Sequence, residues 1–253
     1  MRFILLRGLG RDQLHWTPLL NEIKAVFPDS TIETPDLPGA GILHRKPSPT
    51  ALADYIPLLS QQLSRSEEPA VIVGLSLGGM LALTWAALEP ETFSHVVAIN
   101  SSCNLTPFYK RLLAYKAINH PGAIFRPSIA AKERAVYRMT CNTRPVDETI
   151  IRRWVEIQLL HPVTITNQIK QIWAALKFSP PPRALLPELS IIYSEGDRLV
   201  NPDCSRDLIK FYNSDSYVHP WAGHDLPQDD PKWLAMQLKN IIYRQSGSTS
   251  ISH

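Results

Sequence analysis

Ser76 is the residue whose setting points most directly to chemistry. It is the centre of Gly74-Leu75-Ser76-Leu77-Gly78, with Gly79 directly after. The apolar run Ala70–Val73 ahead of it reads as a strand, and Leu77–Leu88 behind it reads as a helix. A serine on such a strand-to-helix turn presents its hydroxyl at the top of a sheet, and small flanking residues relieve the crowding of the turn. The chemistry would be nucleophilic attack on a carbonyl carbon. A helix beginning at the serine would favour the developing anion through its positive end. G-x-S-x-G alone arises by chance in about one chain in ten of this length, so the strand and helix around it carry the argument.

A serine hydroxyl needs a base. Of the eight histidines, His224 in Ala222-Gly223-His224-Asp225 lies just past the last predicted strand, and the other seven have no comparable setting. The base in turn needs a carboxylate to fix its tautomer. Asp197, in Ser194-Glu195-Gly196-Asp197-Arg198, directly follows the predicted strand Leu189–Ser194. Asp203 and Asp225 are the rival acids, and Asp225 is awkward because it neighbours His224 in sequence. The order Ser76, Asp197, His224 is the order in which nucleophile-elbow triads run.

These residues require elements to hold them. Short runs, most of them apolar on both faces, predict strands at Arg2–Leu6, Thr31–Thr34, Ala70–Val73, Val96–Asn100, Leu189–Ser194 and Ser216–His219. Helical patterns lie between them, at Trp16–Val26, Thr50–Ser64, Leu77–Leu88, Cys204–Phe211 and Pro231–Tyr243. This alternation predicts an α/β fold with a mostly parallel central sheet of about six strands flanked by helices. It stops over 104–180, where only helix-like stretches appear: Pro107–Ile118, Ile129–Met139, Asp147–Leu160 and Pro162–Leu176. The expected organisation is a catalytic domain from 1–103 and 181–245, a helical cap at 104–180, and a disordered polar tail at 246–253. Most glycines follow predicted strands, which marks one rim of the sheet as the place where the backbone turns tightly or meets a ligand.

Composition narrows the classes. The 253 residues are 44% hydrophobic and 19% charged, which is globular rather than disordered. No apolar run reaches the length of a membrane span, and Phe3–Leu6 is too short for a signal-peptide core. Three scattered cysteines without C-x-x-C spacing imply neither a disulfide framework nor a zinc site and fit a reducing, cytoplasmic setting. Cys103 reads as a small buried residue, and Asn100–Asn104 is expected near the cleft. A net charge of +3 is too small to argue for nucleic acid.

Five ordered pieces together resemble the α/β-hydrolase superfamily, most closely its bacterial carboxylesterase branch that includes the pimeloyl-carrier-protein methyl ester esterases. They are Gly8-Leu9-Gly10 with Trp16, Asp36-Leu37-Pro38-Gly39-Ala40-Gly41, the Ser76 turn, Gly196-Asp197-Arg198-Leu199-Val200, and Gly223-His224. The likeness covers about residues 2–245. It implies a triad of Ser76, Asp197 and His224, an oxyanion hole from the backbone N–H groups of Leu9 and Leu77, and a variable cap. The family often has His-Gly where this chain has Arg7-Gly8; a buried Arg7 would need a partner, with Asp12 or Asp36 as candidates. Gly8, Phe108, Trp154 and Leu199 are the candidate substrate-binding residues. Leu112, Tyr115, Leu159 and Trp173 are further apolar cap residues that could line an acyl pocket, although such residues more often simply pack.

The implied reaction is hydrolysis of a carboxylic ester through an acyl-enzyme, with no metal or organic cofactor. A C–C bond hydrolase or lyase would use the same triad, and a non-catalytic ligand-binding protein could use the same scaffold. Charge is unevenly divided. Residues 104–180 hold twelve Lys and Arg against four Asp and Glu, a net of +8, which leaves −5 for the remainder. Such a cap could steer an acidic acyl carrier protein or a coenzyme A thioester to the site, or could simply be a solvated helical face.

Overall fold

The computed structural model describes residues 1–111 and 128–248. Six strands form one parallel sheet in the order β2-β1-β3-β4-β5-β6: β1 Arg2–Leu6, β2 Thr31–Glu33, β3 Ala70–Leu75, β4 Phe93–Ile99, β5 Glu188–Ser194 and β6 Asp215–His219. Every residue of β1 and β3 is buried, as expected of strands covered on both faces. The predicted strands are all present, and β3 and β4 extend beyond their predicted limits.

Alternation along the strands divides the core. Ile4, Leu6, Ile72, Val96, Ala98 and Ile191 pack on one face. The helices α2 Ile56–Ser60, α3 Leu77–Leu88 and α8 Asp203–Tyr212 cover them. Phe3, Leu5, Val71, Val73, Val97 and Ile192 form the other face, under α1 Thr17–Val26 and α10 Pro231–Ser248. A single α-helix over Thr50–Ser64 does not form. A 3-10 turn at Leu52–Tyr55 gives way to the short α2, because Pro57 has no amide to continue an α-helical ladder. At the other end α10 continues to Ser248, so the first positions of the expected tail are helical.

Registers set the functional rim. Leu6 pairs with Gly74, Leu75 with Ile99, Ile99 with Ile192, and Ser194 with His219, so β1 and β3 to β6 end close to one edge. The strand order reverses direction between β1 and β3. Open parallel sheets bind ligands outside the carboxyl ends of their strands at such a switch point. The loops carrying Gly8 and Ser76 leave β1 and β3 there.

Between β4 and β5 the described residues contain helices and no strand: α4 Phe108–Arg111, α5 Ile129–Thr140, α6 Glu148–Leu160 and α7 Ile165–Leu176. Most of the helix expected at Pro107–Ile118, with Leu112 and Tyr115, lies outside the described residues. Tyr137, Cys141, Ile151, Trp154 and Ile157 form a small core within this insertion. Polar contacts seat it on the sheet domain. Arg11 pairs with the buried Glu133 at 2.7 Å, Gly10 N–H donates to Gln171 Oε1 at 2.9 Å, and Ser48 N–H donates to Asn167 Oδ1 at 2.9 Å.

Candidate active site

Ser76 joins β3 to α3 with φ 57° and ψ −116°, a conformation rarely adopted by a residue with a side chain. It persists because its surroundings enforce it. Ser76 N–H donates to Ile99 O at 2.8 Å, and its carbonyl accepts from Ser101 Oγ at 2.8 Å and from Gly79 N–H at 3.0 Å. The turn also needs close backbone approach. A Cβ on Gly78 would stand 2.0 Å from Leu6 O, and one on Gly74 would stand 2.1 Å from Gly78 O. From Ala70 to Leu83, Ser76 alone is not buried; it is half-buried.

Leu77 is the first residue of α3, and its N–H is among those a helix leaves without an intrahelical acceptor. Gly8 follows β1 directly, and a Cβ on it would lie 3.3 Å from Ser76 Cβ. The Gly8-Leu9-Gly10 loop therefore borders the serine, and the Leu9 and Leu77 amides belong to the two segments that flank it.

Asp197 leaves the end of β5, and His224 follows β6. His224 Nδ1 lies 2.7 Å from Asp197 Oδ2. An ionised carboxylate only accepts, so Nδ1 carries the proton and Nε2 is left with a lone pair. The other carboxylate oxygen accepts from Leu199 N–H at 2.8 Å and Val200 N–H at 2.9 Å, which fixes its orientation. Both side chains are buried.

The rival groups are committed elsewhere. Asp203 is half exposed and pairs with Lys110 and Arg206. Asp225 receives both terminal nitrogens of Arg7, at 3.2 and 2.7 Å. Arg7 therefore pairs with Asp225 rather than with Asp12 or Asp36. The fold brings in a partner 218 positions away in the chain, which neither candidate anticipates. His219 also meets a carboxylate, Asp230, at 3.2 Å, but its Nδ1 accepts from Ala222 N–H at 2.9 Å, so both ring nitrogens are occupied. His161 pairs with Asp12. His15 is buried, and its imidazole is held well below its ordinary value by that burial and by the charges of Arg11 and Arg7.

The expected substrate-binding residues are not brought together. Gly8 lies against Ser76. Leu199 serves Asp197 through its amide and is half-buried. Trp154 is 2% exposed, with Arg11 stacked 4.2 Å from its ring centroid and Tyr137 at 5.6 Å, so it is core of the cap rather than a pocket wall. Phe108 is 75% exposed and meets Tyr109 edge to face. Leu159 and Trp173 are also exposed.

Asn100, expected only to be near the cleft, has a defined place. It follows β4 at φ 47° and is buried. Its Oδ1 accepts from Ser194 N–H at 2.8 Å, and its Nδ2 donates to His224 O at 2.9 Å. It thus ties the loop bearing His224 to the end of β5. A signal existed in the sequence: an asparagine directly after a buried strand tolerates a left-handed turn that most residues avoid.

The chain belongs to the alpha/beta hydrolase family, whose model matches residues 3–237. It is an enzyme of the hydrolase class. It is 22% identical to the pimeloyl-[acyl-carrier protein] methyl ester esterase of Aliivibrio salmonicida, over 99% of this chain and 86% of that protein. The enzyme of the same name from Xylella fastidiosa strain M12 is 31% identical over 100 residues, 40% of this chain and 36% of that one. In fold, the enol-lactonase of Burkholderia xenovorans LB400 superposes with a TM-score of 0.74 at 15% identity, covering 96% of this chain and 91% of the lactonase.

Proposed function

We propose that the protein is a serine esterase in which Ser76 is the nucleophile, His224 the general base and acid, and Asp197 the carboxylate that orients His224. The observation carrying this reading is a forced, half-buried serine turn together with a buried His–Asp hydrogen bond of 2.7 Å at the same edge of the sheet. His224 Nε2 takes the proton from Ser76 Oγ as that oxygen attacks the ester carbonyl carbon. The Leu9 and Leu77 amides donate to the resulting oxyanion. The alcohol leaves with the proton from His224, and water attacks the acyl-enzyme by the same steps to release the acid and restore the serine.

For the substrate we propose an acyl ester carried on an acidic partner. Two features support this reading: relatives named for carrier-linked methyl esters, and the +8 charge of residues 104–180. Arg152 and Arg153 also line an open groove of about 650 Å³ with Leu14, Thr149 and Glu156, on a part of the cap that none of the three catalytic candidates lines. Its two arginines support reading the groove as a contact for an acidic partner. The test compares a p-nitrophenyl ester with an ester of acylated carrier protein across ionic strength. Salt should lower kcat/KM for the carrier-linked ester and leave the small ester unchanged, while Ser76→Ala should cut kcat on both by more than about a thousandfold. Equal salt responses would remove the carrier, and undiminished turnover by Ser76→Ala would remove the esterase mechanism.

A further inference from the structure

The acid loop, the histidine loop and the cap meet at one junction, the turn that follows α5. Thr140 O accepts from Asp225 N–H at 2.8 Å, and Cys141 O accepts from Arg198 at 2.8 Å. Asn142 Nδ2 donates to two carbonyls, each at 2.8 Å: Gly196, one residue before Asp197, and Trp221, three before His224. The short helix α9 Leu226–Asp229 supplies the last piece. The carboxylate of Asp229 accepts from Asn142 N–H at 2.7 Å, Thr143 N–H at 3.0 Å, Thr143 Oγ1 at 2.7 Å and Gly223 N–H at 2.7 Å.

Close approach makes this junction demanding. A Cβ on Gly196 would lie 2.6 Å from Asn142 Nδ2, and one on Gly223 would lie 2.4 Å from Thr140 O. The residues flanking Asp197 and His224 are thus small enough to admit the cap turn. The Asn142 side chain is spent on those two loops, while the carbonyls of Cys141 and Thr143 also accept from Arg144 within the insertion.

We propose that Asn142 and Asp229 are positioning residues for the proton transfer, holding the Asp197 and His224 loops at the separation that their hydrogen bond requires. This rests on the triad reading above. The cap turn is then part of the catalytic geometry, and the seating of the cap and the alignment of His224 are one event. Asp229 suits the role because a carboxylate accepts from all four donors. An asparagine there would aim its own N–H groups at one of them. Asn142 suits it because one NH2 group reaches both loops.

The test uses the full chain and a p-nitrophenyl ester, with functional sites counted by fluorophosphonate labelling carried to completion. Asn142→Ala and Asp229→Asn should lower kcat per labelled site by about 10- to 100-fold with KM within about twofold, since misplacement of reacting groups acts on turnover. The acid limb of the kcat–pH profile should move to lower pH, because a poorly aligned Asp197 favours the imidazolium less. Thr143→Val, which removes one hydroxyl from the exposed rim of the junction, should show the same two changes at a few-fold size and keeps the test available if the others fail to fold. Wild-type kcat per labelled site and an unmoved acid limb, with loss only of thermal midpoint or of labelled fraction, would overturn the inference and leave the triad intact. A wild-type protein that takes no label would instead overturn the triad reading.

Discussion

Arg7 precedes the loop that carries Leu9, and its partner Asp225 follows His224. The pair therefore rivets the segment leading into the Gly8-Leu9-Gly10 loop to the segment carrying His224. The two side chains are 3% and 5% exposed, and Arg7 also lies 4.7 Å from the Trp16 ring centroid. Breaking one side of such a pair leaves an uncompensated buried charge. Asp225→Leu or Arg7→Met alone should cost about 3–5 kcal/mol in chemical denaturation, and the double change Arg7→Met with Asp225→Leu should recover most of that loss. Additive losses would mean that the two residues do not act as a pair. At this scale the sequence was legible where a residue's placement depends on its immediate neighbours, as at Ser76 on its turn and Asp197 after its strand. It was not legible where the partner is distant in the chain. Asp225 looked like a spare acid, and Trp154 looked like a pocket wall until Arg11 and Tyr137 closed over it.

Elements obey the same division. Strands buried on both faces announce themselves as apolar runs, so β1, β3, β4 and β5 were readable, as was α3; the edge strands β2 and β6 are largely accessible and gave a weaker signal. The stretch after β2 was not, because its conformation depends on side-chain contacts from distant parts of the chain, among them one buried carboxylate. Asp36 accepts from Gln13 N–H at 2.8 Å, Gln13 Nε2 at 3.0 Å and Ile42 N–H at 2.9 Å, which ties the Asp36–Ile42 loop to the segment after β1. Burial pushes its carboxyl up to about 6, against the pull of those donors. The folded chain therefore binds this proton more tightly than the unfolded chain, and Asp36 contributes stability that is lost as pH rises through about 6. Between pH 7 and pH 5 the wild type should gain about 1–2 kcal/mol relative to Asp36→Asn. The opposing effect of His15, whose imidazole resists protonation, is common to both proteins. A stability difference independent of pH would contradict the account of Asp36.

At the scale of the molecule, a parallel sheet delivers the serine, the acid and the histidine to one edge, and a helical insertion closes on that edge through polar contacts. Each contact is specific: Glu133 on Arg11, Gln171 on Gly10, Asn167 on Ser48, Asn142 on Gly196 and Trp221. The insertion could be recognised from the break in strand–helix alternation and from its charge, but its docking could not, because side-chain amides carry no pattern along the chain. The central claim concerns one oxygen atom, Ser76 Oγ, and intact-mass analysis after treatment with a fluorophosphonate tests it most directly. The account predicts a single adduct, mapped by peptide sequencing to Ser76, and none on Ser76→Ala. An unlabelled wild type, or an adduct that persists in Ser76→Ala, would contradict it.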